Sequence, residues 1–282
     1  MNLIRAAFLF TCYFCSTLCL AQLHGPGRVP AGTGATLQAA GSGSSILYIY
    51  GPGGAAKRTV QRGAINLPGE ELQVAGRYIA IIDGNSVSFF VTPASLQNIS
   101  FVARPSRVPA AAKGAVQGSA FLFDAFQNLY LPTTKVSFRL GTQGSAGEDR
   151  TVSSNQGVAW VQLDSGRRGG PADFAVYSEG ASVRRIVQQV AADPCGIHMK
   201  ALPASDGNIL VETDPILDCA GNAVPDGTIV TFTSIDASGR STVDARIKRG
   251  FASAELPSAP VATLLVAAGV VQGNEIHWGG VR

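Results

Sequence analysis

The sequence is poor in the residues that build metal and catalytic sites. Its three histidines, His24, His198 and His277, are far apart and form no group with the spacing of metal ligands. It contains no phosphate-binding loop, no dinucleotide-binding fingerprint and no metalloprotease motif. Lys and Arg exceed Asp and Glu by only 22 to 19, which argues against a nucleic-acid partner. We therefore expect no cofactor, no metal ion, no nucleic acid and no enzymatic activity.

Long apolar runs are also missing, except for one near the start of the chain. Ala6–Leu20 is uncharged and largely apolar, and a positive charge precedes it. The run is too short to span a bilayer, and the small residues Cys19 and Ala21 occupy the positions that signal peptidase recognises. We predict a signal peptide over residues 1–21, cleaved before Gln22; the alternative is an N-terminal membrane anchor. The mature chain would have no membrane span and be secreted, periplasmic or held in the cell envelope.

Cysteine becomes scarce after that segment. The sequence has five cysteines, and only Cys195 and Cys219 lie outside the predicted signal peptide. An even pair in an exported protein predicts one disulfide. A hairpin that turns at Asp206-Gly207-Asn208 would place the two cysteines opposite each other, because they lie twelve residues either side of its centre. The alternative is a pair of buried free thiols.

Long amphipathic helical patterns are absent, and alternating patterns take their place. Polar and apolar residues alternate over residues 135–140 and again over residues 252–256. A period of two with one polar face is typical of antiparallel sheets that are exposed to water on one side. The chain has 33 glycines, many in turn sequences, which favours short strands and tight turns. We predict an all-β protein, and we interpret residues 183–190, whose apolar spacing is helical, as a last strand and linker.

One stretch of the chain is nearly repeated in another. The matching residues with identical spacing are Asp124, Asn128 and Phe138 in one copy and Asp218, Asn222 and Phe232 in the other. GVAWVQLDS at residues 157–165 then matches GFASAELPS at residues 250–258. The repeated unit has about ninety residues, close to the size of a β-sandwich domain.

The repeat divides the mature chain into three predicted modules. We place an N-terminal β-sandwich module at residues 22–93. Immunoglobulin-like modules follow at residues 94–192 and 193–282, the last with the disulfide. The predicted fold is thus a series of tandem immunoglobulin-like β-sandwiches after a cleaved signal peptide.

The repeated residues carry a resemblance to a known family. The pattern consists of Asp218–Gly227, Val230–Phe232 and Gly250–Ala252, with a looser copy at Asp124, Asn128, Val136–Phe138 and Gly157–Ala159. It resembles the bacterial immunoglobulin-like group one modules of invasins and intimins. The resemblance implies a rod of modules, displayed on the cell surface, that acts as a spacer or presents an adhesive tip. The chain shows no outer-membrane segment or wall-sorting tail of that family, so we expect an exported partner or a subunit held by another protein.

Two motifs offer candidate chemistry. Asp164-Ser165-Gly166 is similar to the nucleophile loop of trypsin-like proteases, but two arginines interrupt the loop and no histidine stands in a matching context. We therefore interpret Ser165 as a strand-end residue. The repeated Asp and Asn pairs could supply calcium ligands, but each loop offers few carboxylates, so a turn-forming role is favoured.

Aromatic residues offer a candidate binding surface. Tyr48 and Tyr50 stand two apart on a predicted strand and would form a sugar-stacking strip if they face solvent, the alternative being core packing. Trp160 and Trp278 are either packed in the core or between modules, which is favoured, or exposed contact residues, and alternation alone does not show which side of its strand Trp160 occupies. We hypothesise a non-catalytic interaction or structural protein, adhesin-like or a spacer, whose partner is another envelope or surface protein. The alternative is an ancillary carbohydrate-binding protein that contacts polysaccharide through the two tyrosines.

Overall fold

The chain is built almost wholly from strands. The computed structural model describes residues 22–142 and 147–279, so the predicted signal peptide, residues 1–21, lies outside the described residues. Within them the chain forms twenty-one β-strands and one 3-10 turn, which confirms the prediction of an all-β protein. No helix of this part of the chain is long and apolar enough to cross a membrane.

The first sheet has six strands. They are β1 (Leu23–His24), β2 (Arg28–Pro30), β3 (Ala35–Gly51), β4 (Gly54–Leu67), β5 (Gly76–Ile82) and β6 (Asn85–Thr92), with the 3-10 turn at Gly69–Glu71 between β4 and β5. The order is β1-β3-β5-β6-β2, and β4 pairs with the free side of β3. The β3–β4 register shifts between Ala39 and Ser44, where Gly41 and Gly43 have positive φ. Glycine permits this irregularity because it adopts positive φ without steric cost.

Strands β7 to β14 form a second group, which we call the second sandwich. They are β7 (Asn98–Arg104), β8 (Arg107–Pro109), β9 (Val116–Phe123), β10 (Lys135–Thr142), β11 (Glu148–Ser153), β12 (Val158–Leu163), β13 (Gly170–Ser178) and β14 (Ala181–Val190). One sheet has the order β11-β10-β13-β14-β8 and the other β12-β9-β7. The segment with helical apolar spacing is therefore strand β14, as predicted.

Three phenylalanines fill the centre of the second sandwich. The rings of Phe101, Phe138 and Phe174 lie 4.9 to 6.3 Å apart, at tilted or edge-on angles that aromatic pairs favour. Gly118 of β9 lies against them, and a Cβ there would come within 2.5 Å of the Phe174 ring. The core therefore requires glycine at this position, because close-packed interiors leave no room for an added methyl group.

Strands β15 to β21 form the third sandwich. They are β15 (Met199–Pro203), β16 (Ile209–Thr213), β17 (Ile229–Asp236), β18 (Gly239–Arg246), β19 (Ser253–Leu256), β20 (Ala262–Ala268) and β21 (Val271–Trp278). Their sheets have the orders β15-β16-β19 and β18-β17-β20-β21. Phe232 on β17 is fully buried, as its counterpart Phe138 is on β10. The predicted alternation of buried and exposed residues is therefore present in both repeats.

The buried apolar residues form three separate cores. One belongs to the first sheet, one to the second sandwich and one to the third. By contacts the chain divides into two compact units: the residues up to Ser95 together with Asp124–Asn128, and the residues Leu96–Phe123 together with Leu129–Arg282. The module boundaries at residues 22–93, 94–192 and 193–282 stay a prediction.

Candidate functional site

Strand β3 holds the two predicted tyrosines on one face. Leu47 and Ile49 are buried in the first core. Because side chains alternate along a strand, Ile46, Tyr48 and Tyr50 point to the opposite, solvent side. Tyr50 is 46% exposed, and Tyr48 is partly exposed. The tyrosines are therefore surface residues and not core residues.

The neighbouring strands extend this surface. Tyr48 and Tyr50 lie opposite Ile81 and Ile79 of β5. On the next strand, β6, Phe90 points outward and is 50% exposed. Tyr48 and Tyr50 are direct neighbours of the two isoleucines, whereas Phe90 is a diagonal neighbour of Ile79, a separation that an aromatic side chain can reach. These residues share one face of the sheet. We call it the outer face, and it consists of Ile46, Tyr48, Tyr50, Ile79, Ile81 and Phe90.

Positive charges border the outer face. Lys57 of β4 lies opposite Tyr48, with its Nζ 5.4 Å from the centre of the tyrosine ring, a distance at which a cation is attracted to an aromatic face. Arg77 and Arg28 both lie opposite Phe90, on β5 and β2. These three cations make no ion pair with any described residue. The outer face is thus apolar with a cationic border.

Two acidic groups from the segments next to these strands are paired elsewhere. Glu71 pairs with Arg58, and Asp83 pairs with Arg62. Arg58 directly follows Lys57 on β4, so its side chain leaves the opposite side of the strand. Neither carboxylate therefore neutralises the border of the outer face. Alternation within β3 indicates the two tyrosines but not Phe90, because Phe90 joins this face only through the pairing of β5 and β6, forty positions after Tyr50.

The repeated Asp and Asn pairs build two loops with the same hydrogen bonds. Asp124 Oδ1 accepts the N–H groups of Phe126 and Asn128, and its Oδ2 accepts the N–H of Ala94, all at 2.9 Å. Asp218 likewise accepts from the N–H groups of Ala220, Asn222 and Ala192, at 2.8 to 3.0 Å. Each Asn side-chain amide also donates to its Asp carboxylate.

The asparagines fasten each loop to a neighbouring segment. Asn128 accepts the N–H of Ala75 and donates to the carbonyl of Gln73, at 2.7 and 2.8 Å. Asn222 accepts the N–H of Gly169 and donates to the carbonyl of Arg167, at 2.9 and 2.8 Å. The carboxylates and amides thus organise the backbone of these loops. The described residues contain no group of three or more His, Cys, Asp or Glu that could hold a metal ion.

Hydrogen bonding sets the acidity of both aspartates. Burial by itself raises the pKa of Asp124, but the bonds from Asn128, Ala94 and Phe126 outweigh it and lower the pKa below its ordinary value of 3.8. The pKa of Asp218 is lowered in the same way, with burial opposing and the bonds from Asn222 prevailing. N–H donors stabilise the charged carboxylate, so both groups are ionised at neutral pH.

Ser165 occupies a structural position. Its hydroxyl is buried, donates to the carbonyl of Pro109 at 2.6 Å and accepts the N–H of Ala112 at 2.8 Å. The neighbouring Asp164 accepts the N–H of Gly114 at 2.7 Å. Ser165 therefore ties the end of β12 to the segment between β8 and β9, in agreement with its interpretation as a strand-end residue.

Replacement of Ser165 by alanine should lower the free energy of unfolding by about 1 to 2 kcal/mol, because the part-buried N–H of Ala112 and carbonyl of Pro109 lose their partner. Urea unfolding followed by circular dichroism measures this change. Ser258, its exposed counterpart in the repeat, provides the control, and Ser258→Ala should leave stability within about 0.5 kcal/mol. Equal stability of the two variants would contradict the structural role.

The predicted disulfide is present. Cys195 and Cys219 are bonded, with their Cα atoms 4.6 Å apart. The predicted hairpin register is wrong, however: Met199 pairs with Thr213, so the hairpin is centred on Asp206 and not on Gly207. In this register Cys195 lies opposite Leu217, and its N–H bonds the Leu217 carbonyl at 2.9 Å. Cys219 reaches it because the turn that Asp218 begins folds the chain back, outside the paired strands.

The two tryptophans differ in position. Trp278 is partly buried and packs against the third core, as expected. Trp160 is 67% exposed, so it is not a core residue and matches the less favoured alternative, an exposed residue. Ala159 and Val161 on either side of it are buried, so the period of two directs the large ring to solvent.

Comparison with known proteins identifies the fold. No protein-family model matches the sequence, and a comparison with curated proteins gives no match. The Escherichia coli adhesin FdeC is similar in structure, with a TM-score of 0.58, 14% identity and coverage of 91% of this chain and 95% of that chain. InvD of Yersinia pseudotuberculosis has a TM-score of 0.53, 14% identity and coverage of 91% and 96%. At this identity the similarity shows the fold alone, and it confirms the predicted tandem immunoglobulin-like fold and its resemblance to invasin-type modules.

Proposed function

We propose that this chain is an exported, non-catalytic binding protein of the adhesin-like kind, which contacts a protein partner through the outer face of its first sheet. The observation that carries the proposal is the exposure of Tyr50 and Phe90 on the same face of the first sheet as Tyr48, Ile79 and Ile81. Contiguous apolar surface of this type marks interaction sites on soluble proteins.

The composition of the outer face supports a protein partner. Tyrosine, phenylalanine and arginine are enriched at the centres of protein interfaces, where all three bury large areas and tyrosine and arginine also donate hydrogen bonds. Tyr48, Tyr50, Phe90 and Arg77 provide this combination. The similarity in fold to FdeC supports an adhesin-like role, and a location in the cell envelope or outside the cell follows from that role and from the predicted signal peptide. The partner would be another envelope or surface protein.

A polysaccharide partner is the second candidate. The ring of Tyr48 lies next to Lys57, and Tyr50 follows on the same face. Exposed aromatic rings stack on the apolar faces of sugar rings, and unpaired cations attract acidic saccharides. The chain would then be an ancillary carbohydrate-binding protein that uses the same face.

The double substitution Tyr50→Ala and Phe90→Ala should weaken binding to the native envelope at least tenfold, since residues at the centre of an interface carry most of its binding energy. The measurement is the binding of fluorescently labelled mature chain to an envelope preparation from the producing organism. Tyr177→Ala is the matched control, because Tyr177 of the second sandwich is 47% exposed, like Tyr50. Circular dichroism should show the same strand content for all three proteins.

Treatment of the envelope separates the two candidate partners. Binding that trypsin abolishes and periodate preserves supports the protein partner. The opposite pattern, with retention on a polysaccharide array, favours the carbohydrate-binding candidate. Unchanged binding by the Tyr50 and Phe90 variant would overturn the assignment of the outer face in either case.

A further inference from the structure

The outward side of one sheet of the second sandwich carries an exposed aromatic surface. Trp160 of β12 is 67% exposed. Ser119 of β9 lies opposite it, and Val102 of β7, which is 41% exposed, lies opposite Ser119. A second row of side chains crosses the same three strands beside the first. We call the two rows the Trp160 face, and it consists of Trp160, Ser119, Val102, Val158, Phe121 and Ser100.

The core of the sandwich lies on the other side of this sheet. Phe101, Ala120 and Ala159, which alternate with the residues of the Trp160 face, are buried. Side chains on a strand point alternately to its two sides, so the residues of the Trp160 face share the solvent side. The tryptophan is therefore part of a surface and takes no part in the packing between the two sheets.

The polar groups of this surface are uncharged. Ser119 is partly exposed at its centre. The adjoining row contains Gln162, Gln117 and, at its far end, Arg104. Nε2 of Gln162 donates to the carbonyl of Gly114 at 2.6 Å, which holds this side chain in place. Hydroxyls and amides, which can both donate and accept hydrogen bonds, thus lie beside the aromatic side chains, and the single charge stands at the border.

The third sandwich has a different surface at the equivalent positions. In the repeated sequence Trp160 corresponds to Ser253 of β19. Glu212 of β16 lies opposite Ser253, and Lys200 of β15 lies opposite Glu212. An aromatic row in one copy is therefore a polar, charged row in the other.

Phe121 is replaced in the same way. It stands two residues after Ser119, and the residue two positions after Glu212 is Asp214. Nζ of Lys200 lies 2.6 Å from Oδ1 of Asp214, so the charges of that surface are paired with each other. The sheet thus folds with charged residues at these positions in its second copy. Aromatic residues here are not a requirement of the fold, and a binding role explains them.

The chemistry of the Trp160 face favours an uncharged polar partner. A charged group at its centre would lose hydration without gaining an ion pair, which is costly. A wholly apolar partner would leave the hydroxyl of Ser119 and the amide of Gln117 without hydrogen bonds, which is also costly. A neutral polysaccharide avoids both penalties, because each sugar ring has an apolar C–H face with hydroxyl groups around its edge.

We propose that the Trp160 face binds an uncharged, β-linked polysaccharide. The indole of Trp160 stacks on the C–H face of a sugar ring, and Ser119 and Gln117 exchange hydrogen bonds with its hydroxyls. Sugars of the glucose type fit this surface, because equatorial hydroxyls leave the C–H face of the ring free. The site is separate from the outer face of the first sheet and does not depend on the proposed function.

Cellohexaose and chitohexaose are the probes, since both are uncharged, β-linked chains of glucose-type sugars. Isothermal titration calorimetry with the mature chain should show binding of at least one of them. Trp160→Ser, which introduces the residue of the third sandwich, should weaken that binding at least tenfold, and Trp160→Tyr should retain most of it, because stacking needs an aromatic ring. Ser119→Glu should abolish binding, because it places a charge at the centre of the face.

Tyr177→Ala is the matched control. Tyr177 lies on the opposite sheet of the same sandwich and is 47% exposed, so its replacement removes an exposed aromatic ring outside the Trp160 face and should leave binding unchanged. The Tyr50 and Phe90 variant should also bind the oligosaccharide normally. Loss of binding in that variant, with retention in Trp160→Ser, would overturn the proposal and assign the saccharide to the outer face. Circular dichroism should show the same strand content for all variants.

Fluorescence locates the bound sugar. The chain has two tryptophans, so in a Trp278→Phe background Trp160 alone reports, and stacking should shift its emission to shorter wavelength. Unchanged emission on binding, or no binding of either oligosaccharide at millimolar concentration, would overturn the proposal. Sedimentation should show a monomer. A dimer that Trp160→Ser dissociates would reveal that a second copy of the chain covers this face, and would equally overturn the assignment to a polysaccharide.

Discussion

Asp218→Ala should lower the free energy of unfolding of the third sandwich by about 3 kcal/mol. The carboxylate is almost fully buried, at 3% exposure, and accepts three backbone N–H groups and the side-chain amide of Asn222. Without the carboxylate these donors lose their acceptor. Hydrogen bonds to charged groups contribute about 1.5 to 3 kcal/mol each, and water that replaces the carboxylate restores only part of this contribution. Urea unfolding reports the change through Trp278, with Trp160→Phe as the background so that one tryptophan remains.

Asp226→Ala is the matched control for this prediction. Asp226 is exposed in the same loop region, and its replacement should change stability by less than about 0.5 kcal/mol. Similar losses for the two variants would show that the hydrogen bonds of Asp218 contribute little.

The same carboxylate should make stability dependent on pH in acid. Because the hydrogen bonds from Asn222 and from the backbone lower the pKa of Asp218 below 3.8, the folded state favours the ionised form more than the unfolded state does. The contribution is fully present well above pH 3.8 and is lost as the pH falls through the lowered pKa. The difference in free energy of unfolding between wild type and Asp218→Ala should therefore narrow as the pH falls below 3.8, and a constant difference would contradict this explanation.

Removal of the disulfide should have a similarly large effect. Cys195 and Cys219 are separated by 24 positions, and a cross-link that closes a loop of this length stabilises by about 3 kcal/mol in the chain-entropy model. The free energy of unfolding of the double variant Cys195→Ser and Cys219→Ser should therefore be lower by about 3 kcal/mol. The variant should unfold at a lower urea concentration than the wild type, as followed by the fluorescence of Trp278. Reduction of the wild type should give the same shift.

Reductant provides the control for the disulfide. It should not alter the unfolding of the double variant, which has no bond to break. A shift below about 1 kcal/mol in wild type on reduction would show that the Asp218 loop holds the two segments together without the cross-link.

Some features of the structure could be predicted because they depend on residues close together in the chain. Alternation over residues 135–140 identifies a half-buried strand, since a period of two places one set of side chains on one face. Asp124 and Asn128 have the same spacing as Asp218 and Asn222, which identifies two loops of the same kind. The pairing of the two cysteines follows from their number and from the predicted export.

Other features depend on contacts between distant residues. The hairpin register was wrong by one position, because turn residues near Gly207 are compatible with more than one centre, and the strand pairs decide between them. Alternation alone does not show whether Trp160 faces the core or the solvent, since its neighbours Ala159 and Val161 are too small to indicate which face of the strand is buried. Burial against the opposite sheet decides this.

The sequence by itself determined the fold class, the repeat and the cysteine pair, because local periodicity, spacing and residue counts specify them. Tertiary structure alone decided that Phe90 joins Tyr48 and Tyr50 on one face, and that Asn128 and Asn222 bond segments more than fifty residues away. The physical reason is that surfaces and grooves arise where strands distant in the chain are paired or left unpaired, and side-chain alternation within one strand does not specify its neighbours.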